Sequence, residues 1–291
     1  MKRLKFLDLS NSEELRSLDL GLTPNLERLD VRGCYKLVAL DVHGGCLKSL
    51  VYLNLNSCWR LKSISFIKQM ESIEVLDIGG LNLKKLPDYI ITRHSSSSLL
   101  ELNLEWNDIK EVASSIGNLQ KLLSLNLSRC YNLKSLPGCI WSLQHLRTLD
   151  LSSTGIEELP EDLGQLECLE ELYLTNTEVK HLPSSICMLK HLKTLRLPVR
   201  KYLEKLPEDV GQLESLEILH LNFSVNLREI PNSICKLKCL KELDLEGCER
   251  LEKLPEELGN LKCLQYLNVR DTGITQLPQS IYSVKGLNIV R

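Results

Sequence analysis

The 291-residue sequence predicts an α/β solenoid, a curved horseshoe in which parallel β-strands line the concave face and short helical or 3-10 segments the convex face. Three observations carry this. Residues 146–169 read LRTLDLSSTGIEELPEDLGQLECL, and from Leu169 the chain reads LEELYLTNTEVKHLPSSICMLKHL, so Leu146, Leu149 and Leu151 return as Leu169, Leu172 and Leu174. The middle leucine of each LxxLxL unit falls at Leu7, Leu29, Leu53, Leu76, Leu102, Leu125, Leu149, Leu172, Leu195, Leu219, Leu243 and Leu267, in steps of 22 to 26 residues. Leucine dominates while aromatic residues make up only 5%, as a stack of identical aliphatic layers requires.

Each unit has three parts. The first is a short alternating strand such as LKELDL (240–245), whose period of two separates buried leucines from exposed polar residues. The second is a turn holding Ser12, Cys34, Cys58, Leu81, Asn107, Cys130, Thr154, Thr177, Arg200, Ser224, Cys248 and Thr272. From Asn107 onward, Thr or Asn gives 23-residue units, while Cys, Arg or Ser is followed by one more residue and gives 24. An inward side chain here meets buried backbone groups, which Thr and Asn bond strongly and Cys weakly.

The third part is a return segment of the form LPxxIGxLxxL, as in LPEELGNLKCL (254–264). Pro160, Pro183, Pro207, Pro231, Pro255 and Pro278 suit a first helical position, where a missing N–H costs nothing. Acidic residues after some of them suit the positive end of a short helix. Gly117, Gly164, Gly211 and Gly259 read as stops, which leaves room for one turn, 3-10 in character. A helical side wider than the strand side bends the stack, and twelve strands spaced about 4.8 Å apart give an arc on the order of 50–60 Å.

The N-terminal third is less regular. LRSLDL (15–20) and LVALDV (37–42) stand where the LPxxI segment belongs and look like extra strands; the spacing keeps them as return segments. His94–Ser98 reads as a small exposed loop. Residues 1–291 therefore read as one array of about twelve repeats plus a truncated thirteenth from Leu287, with no separate caps, as in a fragment of a longer chain or a truncated gene product.

Composition narrows the function. A net charge of −2 gives no nucleic-acid footprint, and no apolar run approaches the roughly 18 residues of a membrane span. The first twenty residues lack the apolar core of a signal peptide, and an odd count of 11 cysteines points to a reducing compartment, cytoplasmic or nuclear. Cys168, Cys239 and Cys263 share one place just before a strand and read as small half-buried hydrophobes. Neither CKLKC (235–239) nor the scattered histidines has metal-ligand spacing, and no cofactor or catalytic motif is present. The two N-x-S sequons, at Asn126 and Asn222, read as chance matches.

The LxxLxLxx(N/C)xL core resembles the leucine-rich repeat. The alternation of LxLxxCxxLxxLP with LxLxxTxIxxLP, as in Leu127–Pro137 and Leu245–Pro255, is similar to the repeats of plant intracellular nucleotide-binding leucine-rich-repeat disease-resistance proteins of the TIR class. That resemblance implies a non-enzymatic recognition module. It would bind a pathogen effector or a host target, and restrain the receptor's own nucleotide-binding module. No GxxxxGK[ST] loop is present, so nucleotide chemistry does not carry over. A free-standing scaffold similar to plant Ras-group leucine-rich-repeat proteins ranks second, because Asn holds the turn only at Asn107. The expected contact surface is the concave face. There the central exposed residue, Asp or Asn in most units, changes to Tyr173, Arg196 and His220, and Trp106 and Phe223 lie just past strand ends.

Overall fold

The structure, a computed structural model, describes residues 3–42, 47–91, 98–199 and 202–291. Most of the expected loop at His94–Ser98 and the turn residue Arg200 lie outside them. The chain divides into two compact units, residues 1–146 and 147–291.

In the first unit, β1 (Phe6–Asp8), β3 (Arg28–Asp30), β5 (Tyr52–Asn54), β6 (Val75–Asp77), β7 (Glu101–Asn103) and β8 (Ser124–Asn126) pair in that order, all parallel. In the second, β9 (Thr148–Asp150), β10 (Glu171–Tyr173), β11 (Thr194–Arg196), β12 (Ile218–His220), β13 (Glu242–Asp244), β14 (Tyr266–Asn268) and β15 (Asn288–Val290) do the same. All twelve expected leucines are the middle residues of these strands, and Ile289 continues the row from Leu267. The two questionable segments are both returns and strands. β2 (Ser17–Asp19) and β4 (Ala39–Asp41) pair with each other in a separate two-stranded sheet.

The sequence forms these coils because every coil has the same apolar positions. Leu149, Leu151, Ile156, Leu163, Leu166 and Leu169 of one coil are all within 1% of full burial, as are Leu172, Leu174, Ile186, Leu189 and Leu192 of the next. Burying one such side chain favours folding by roughly 1.5–3 kcal/mol, and only a neighbouring coil can supply the cover.

The return side consists of single 3-10 turns, such as Glu161–Gln165, Ser184–Met188 and Asn232–Lys236. Two expectations change here. Pro160, Pro183, Pro231 and Pro278 are not the first helical residues. Each sits one place earlier in extended conformation, and its carbonyl accepts the N–H that closes the turn, as from Leu163 to Pro160 at 3.1 Å. Nor are the glycines stops. Gly117, Gly164, Gly211 and Gly259 lie inside the 3-10 turns, against the next coil. A Cβ on Gly211 or Gly259 would overlap the carbonyl oxygen of Ser233 or Ser280. The Gly211 and Gly259 N–H groups donate to the hydroxyls of those serines at 3.2 and 3.0 Å. Coils pack too closely there for a side chain.

The turn residues Cys58, Asn107, Thr154 and Cys248 point inward, with a division of labour. Thr154 donates to Leu151 O within its own coil at 2.7 Å. Cys58 and Cys248 reach back to the previous coil, to Val31 O at 3.1 Å and Leu221 O at 3.3 Å. Asn107 does both, donating to Leu104 O and Ile78 O while its Oδ1 accepts from Leu83 N.

Candidate protein-binding surface

Twelve strands, β1, β3 and β5 to β14, leave their sheet through the same corner. The last strand residue is Asp or Asn in nine coils, and in all nine its Oδ1 accepts the N–H two residues on at 2.8–3.1 Å. This is the local bond that makes Asx residues turn-formers. The residue after that N–H has a left-handed backbone: Asn11, Gly33, Ser57, Gly80, Trp106, Arg129, Ser153, Asn176, Val199, Phe223, Gly247 and Asp271, with φ between 52° and 69°. Its own N–H extends the ladder to the next coil, as from Val199 to Asn222 O at 2.8 Å.

The five expected contact residues all depart from the cheapest form of this corner, as Ser57, Arg129, Ser153, Val199 and Asp271 also do at its left-handed position. Tyr173, Arg196 and His220 occupy three consecutive coils of the second unit, directly in register, and none can make the Asx bond. Trp106 and Phe223 are large side chains at left-handed positions, where a non-glycine residue costs roughly 1–2 kcal/mol. Trp106 belongs to the first unit and the other four to the second.

In the second unit, Arg196 Cζ lies 5.8 Å from the Tyr173 ring centroid. The Tyr173 hydroxyl donates to Glu171 Oε2 at 3.0 Å. Burial, reinforced by that bond, pushes the phenol up to about 12, so it stays a neutral donor. Arg196 Nε is buried without a hydrogen-bond partner among the described residues, and His220 Nε2 stands 3.2 Å from Glu242 Oε2. Phe223 is 45% exposed and its ring lies over Gly247, where a Cβ would collide with it. Chemically the patch offers a cation, an aromatic face and carboxylates.

Sequence reasoning missed a second cluster, in the first unit. Trp59 is 60% exposed and stacks on Tyr35 with centroids 5.0 Å apart. Trp106, 51% exposed, meets Tyr131 edge-on at 5.8 Å and carries the Arg129 guanidinium 4.8 Å above its ring. Ser57, Trp59, Gly80, Asn82 and Trp106 line a cavity of about 480 Å³. The signal was present: Tyr35, Trp59 and Tyr131 each directly follow a turn cysteine. On the strand face, Arg28 also lies 4.1 Å from the Tyr52 ring centroid. Among the described residues no group of three or more His, Cys, Asp or Glu could hold a metal ion.

A model of the leucine-rich repeat region matches residues 125–221, and one of the single leucine-rich repeat matches 239–261. Among solved structures, a leucine-rich-repeat protein of Leptospira interrogans superposes with a TM-score of 0.83 at 31% identity, over 99% of this chain and 72% of its own. The chain belongs to the leucine-rich-repeat family. Among curated relatives, Disease resistance protein RPP2A of Arabidopsis thaliana is 31% identical over 140 residues, 47% of this chain. TMV resistance protein N of Nicotiana glutinosa is 32% identical over 184 residues, 55% of this chain. The match spans 10% of the first relative's length and 16% of the second's. The leucine-rich repeats are thus a protein-interaction module related to plant defence proteins.

Proposed function

We propose that the chain is the ligand-sensing repeat region of a plant immune receptor, and that Tyr173, Arg196, His220 and Phe223 contact its protein ligand. The observation that carries this reading is local. Three successive coils forgo a turn bond that nine others make, and two of the residues in its place, Tyr173 and Arg196, are types that anchor interfaces. Backbone cost tolerated at an exposed position is a pointer to function. Trp106, with the aromatic cluster beside it, makes a second contact area in the first unit. The ligand is a pathogen effector or a host target. Within a longer receptor, the same repeats restrain the nucleotide-binding module until the ligand arrives. This reading places the protein in the cytoplasm or nucleus. No helix among the described residues is long and apolar enough to cross a membrane.

The test separates stability from binding. Tyr173→Asn and His220→Asn restore the Asx bond, so each variant melts at the same or a higher temperature. Capture from leaf extract on immobilised wild-type and variant chains, compared by mass spectrometry, then reads the surface. A partner retained by the wild type and lost from both variants supports the patch. An identical set of captured proteins on all three surfaces overturns it.

A further inference from the structure

Cys239 and Cys263 do not behave as the half-buried hydrophobes their sequence context suggests: both are exposed. The turn cysteines are different. Cys34, Cys58, Cys130 and Cys248 are buried and donate to main-chain carbonyls. Burial pushes the Cys58 and Cys248 thiols up to about 12 and that of Cys130 to about 11, which keeps them inert.

The two exposed thiols hold equivalent places on adjacent coils. Each lies three residues before Glu242 or Tyr266, which are register partners in β13 and β14. The following residues, Leu240 and Leu264, are both buried. The Lys241 carbonyl accepts from Gln265 N at 2.8 Å and Tyr266 N at 3.0 Å, so the coils are tied together within two residues of the thiols. Coils one strand spacing apart, roughly 4.8 Å, fall inside the disulfide range of about 4.4–6.8 Å between Cα atoms. Lys241 interacts electrostatically with both thiols, more strongly with Cys239, and its Nζ is fixed by a 2.6 Å bond to Glu217 Oε2. In its thiolate form an exposed cysteine is a nucleophile.

We propose that Cys239 and Cys263 form a hydroperoxide-responsive dithiol that closes to a disulfide between adjacent coils. The Cys239 thiolate attacks one oxygen of the peroxide. The O–O bond breaks, hydroxide leaves and takes up a proton as water, and Cys239 becomes a sulfenic acid. The Cys263 thiolate then attacks that sulfur, the S–O bond breaks, and the departing hydroxide takes up the second proton. One peroxide is reduced to two waters, or to water and an alcohol, as two thiols are oxidised to one disulfide. Thiol reductants reverse it, as in a reducing compartment where disulfides are transient. This site is independent of the ligand patch.

The experiment titrates the reduced, full-length protein with hydrogen peroxide, blocks remaining thiols with an alkylating agent in denaturant, and digests with trypsin. The expected product joins peptide 239–241 to peptide 263–270. It forms while the turn cysteines still alkylate fully, and dithiothreitol removes it. In Cys263→Ser the joined peptide disappears and Cys239 is trapped by a sulfenic-acid reagent. Cys235→Ser leaves the yield as it was. Exposed sites tolerate these replacements, and a melting curve of each variant checks that. Oxidation of both thiols with no joined peptide, or equal joining of Cys239 to Cys235, overturns the proposal.

Discussion

At the scale of single residues, the corner after each strand sets what a side chain costs. Val199 is β-branched and sits at φ 62°, a conformation that suits glycine. Val199→Gly releases roughly 1–2 kcal/mol of strain and gives back roughly 0.5–1 in unfolded-chain entropy. The net gain, about 0.5–1 kcal/mol, is readable as a higher urea midpoint at constant slope. Asp77 illustrates the opposite balance. It accepts from Gly79 N at 3.0 Å and from Asn56 Nδ2 at 3.2 Å, yet burial outweighs both bonds and raises its carboxyl above the ordinary value. The folded chain therefore holds that proton more tightly than the unfolded chain, and this contribution improves as pH falls through the carboxylate range. Asn54 and Asn103 make the same turn bond with an amide. Asp77→Asn should raise the melting temperature at neutral pH, with the advantage shrinking on acidification; a constant advantage at every pH would refute the burial argument. The left-handed corner was not legible in the sequence, since only Asn11, Gly33, Gly80, Asn176 and Gly247 among its twelve residues carry the Gly or Asn signature. The departure of Tyr173, Arg196 and His220 from this corner was legible, because they interrupt a row of Asp and Asn.

At the scale of elements, the coil holds because strand, turn and return each bond to the same neighbour. The strand leucines were legible from spacing alone: each is the middle of a three-residue strand, and buried leucine cannot shift register by one without facing water. The return segments were legible only in part. Proline and glycine read as start and stop by their usual preferences, but contact with the next coil decides their place, and a single coil's sequence does not show that contact. Gly259→Ala is the sharpest test. Its methyl group overlaps the Ser280 carbonyl, so the two coils must separate, and a loss of about 1–3 kcal/mol is expected in urea unfolding. Glu161 shows the same dependence between coils. It accepts from Ser184 N at 3.2 Å and Ser185 N at 2.9 Å at the start of the next coil's 3-10 turn, and these bonds hold its carboxyl below the ordinary value.

At the scale of the molecule, stability in a repeat array sums over coils and their nearest-neighbour interfaces. Deletion of residues 240–263, one whole 24-residue coil, returns the chain to register. The circular dichroism signal per residue should be kept, with a modestly lower melting temperature. Deletion of residues 244–263 leaves the register out of step and should abolish cooperative unfolding. The left-handed corner has a further consequence. Because main-chain bonds make the bend, the outward group at each of those twelve places is a socket whose occupant can be exchanged without retuning the rest. A designer wishing to redirect such a protein to a new target could rewrite that rim one position at a time, with a bounded penalty for each letter changed.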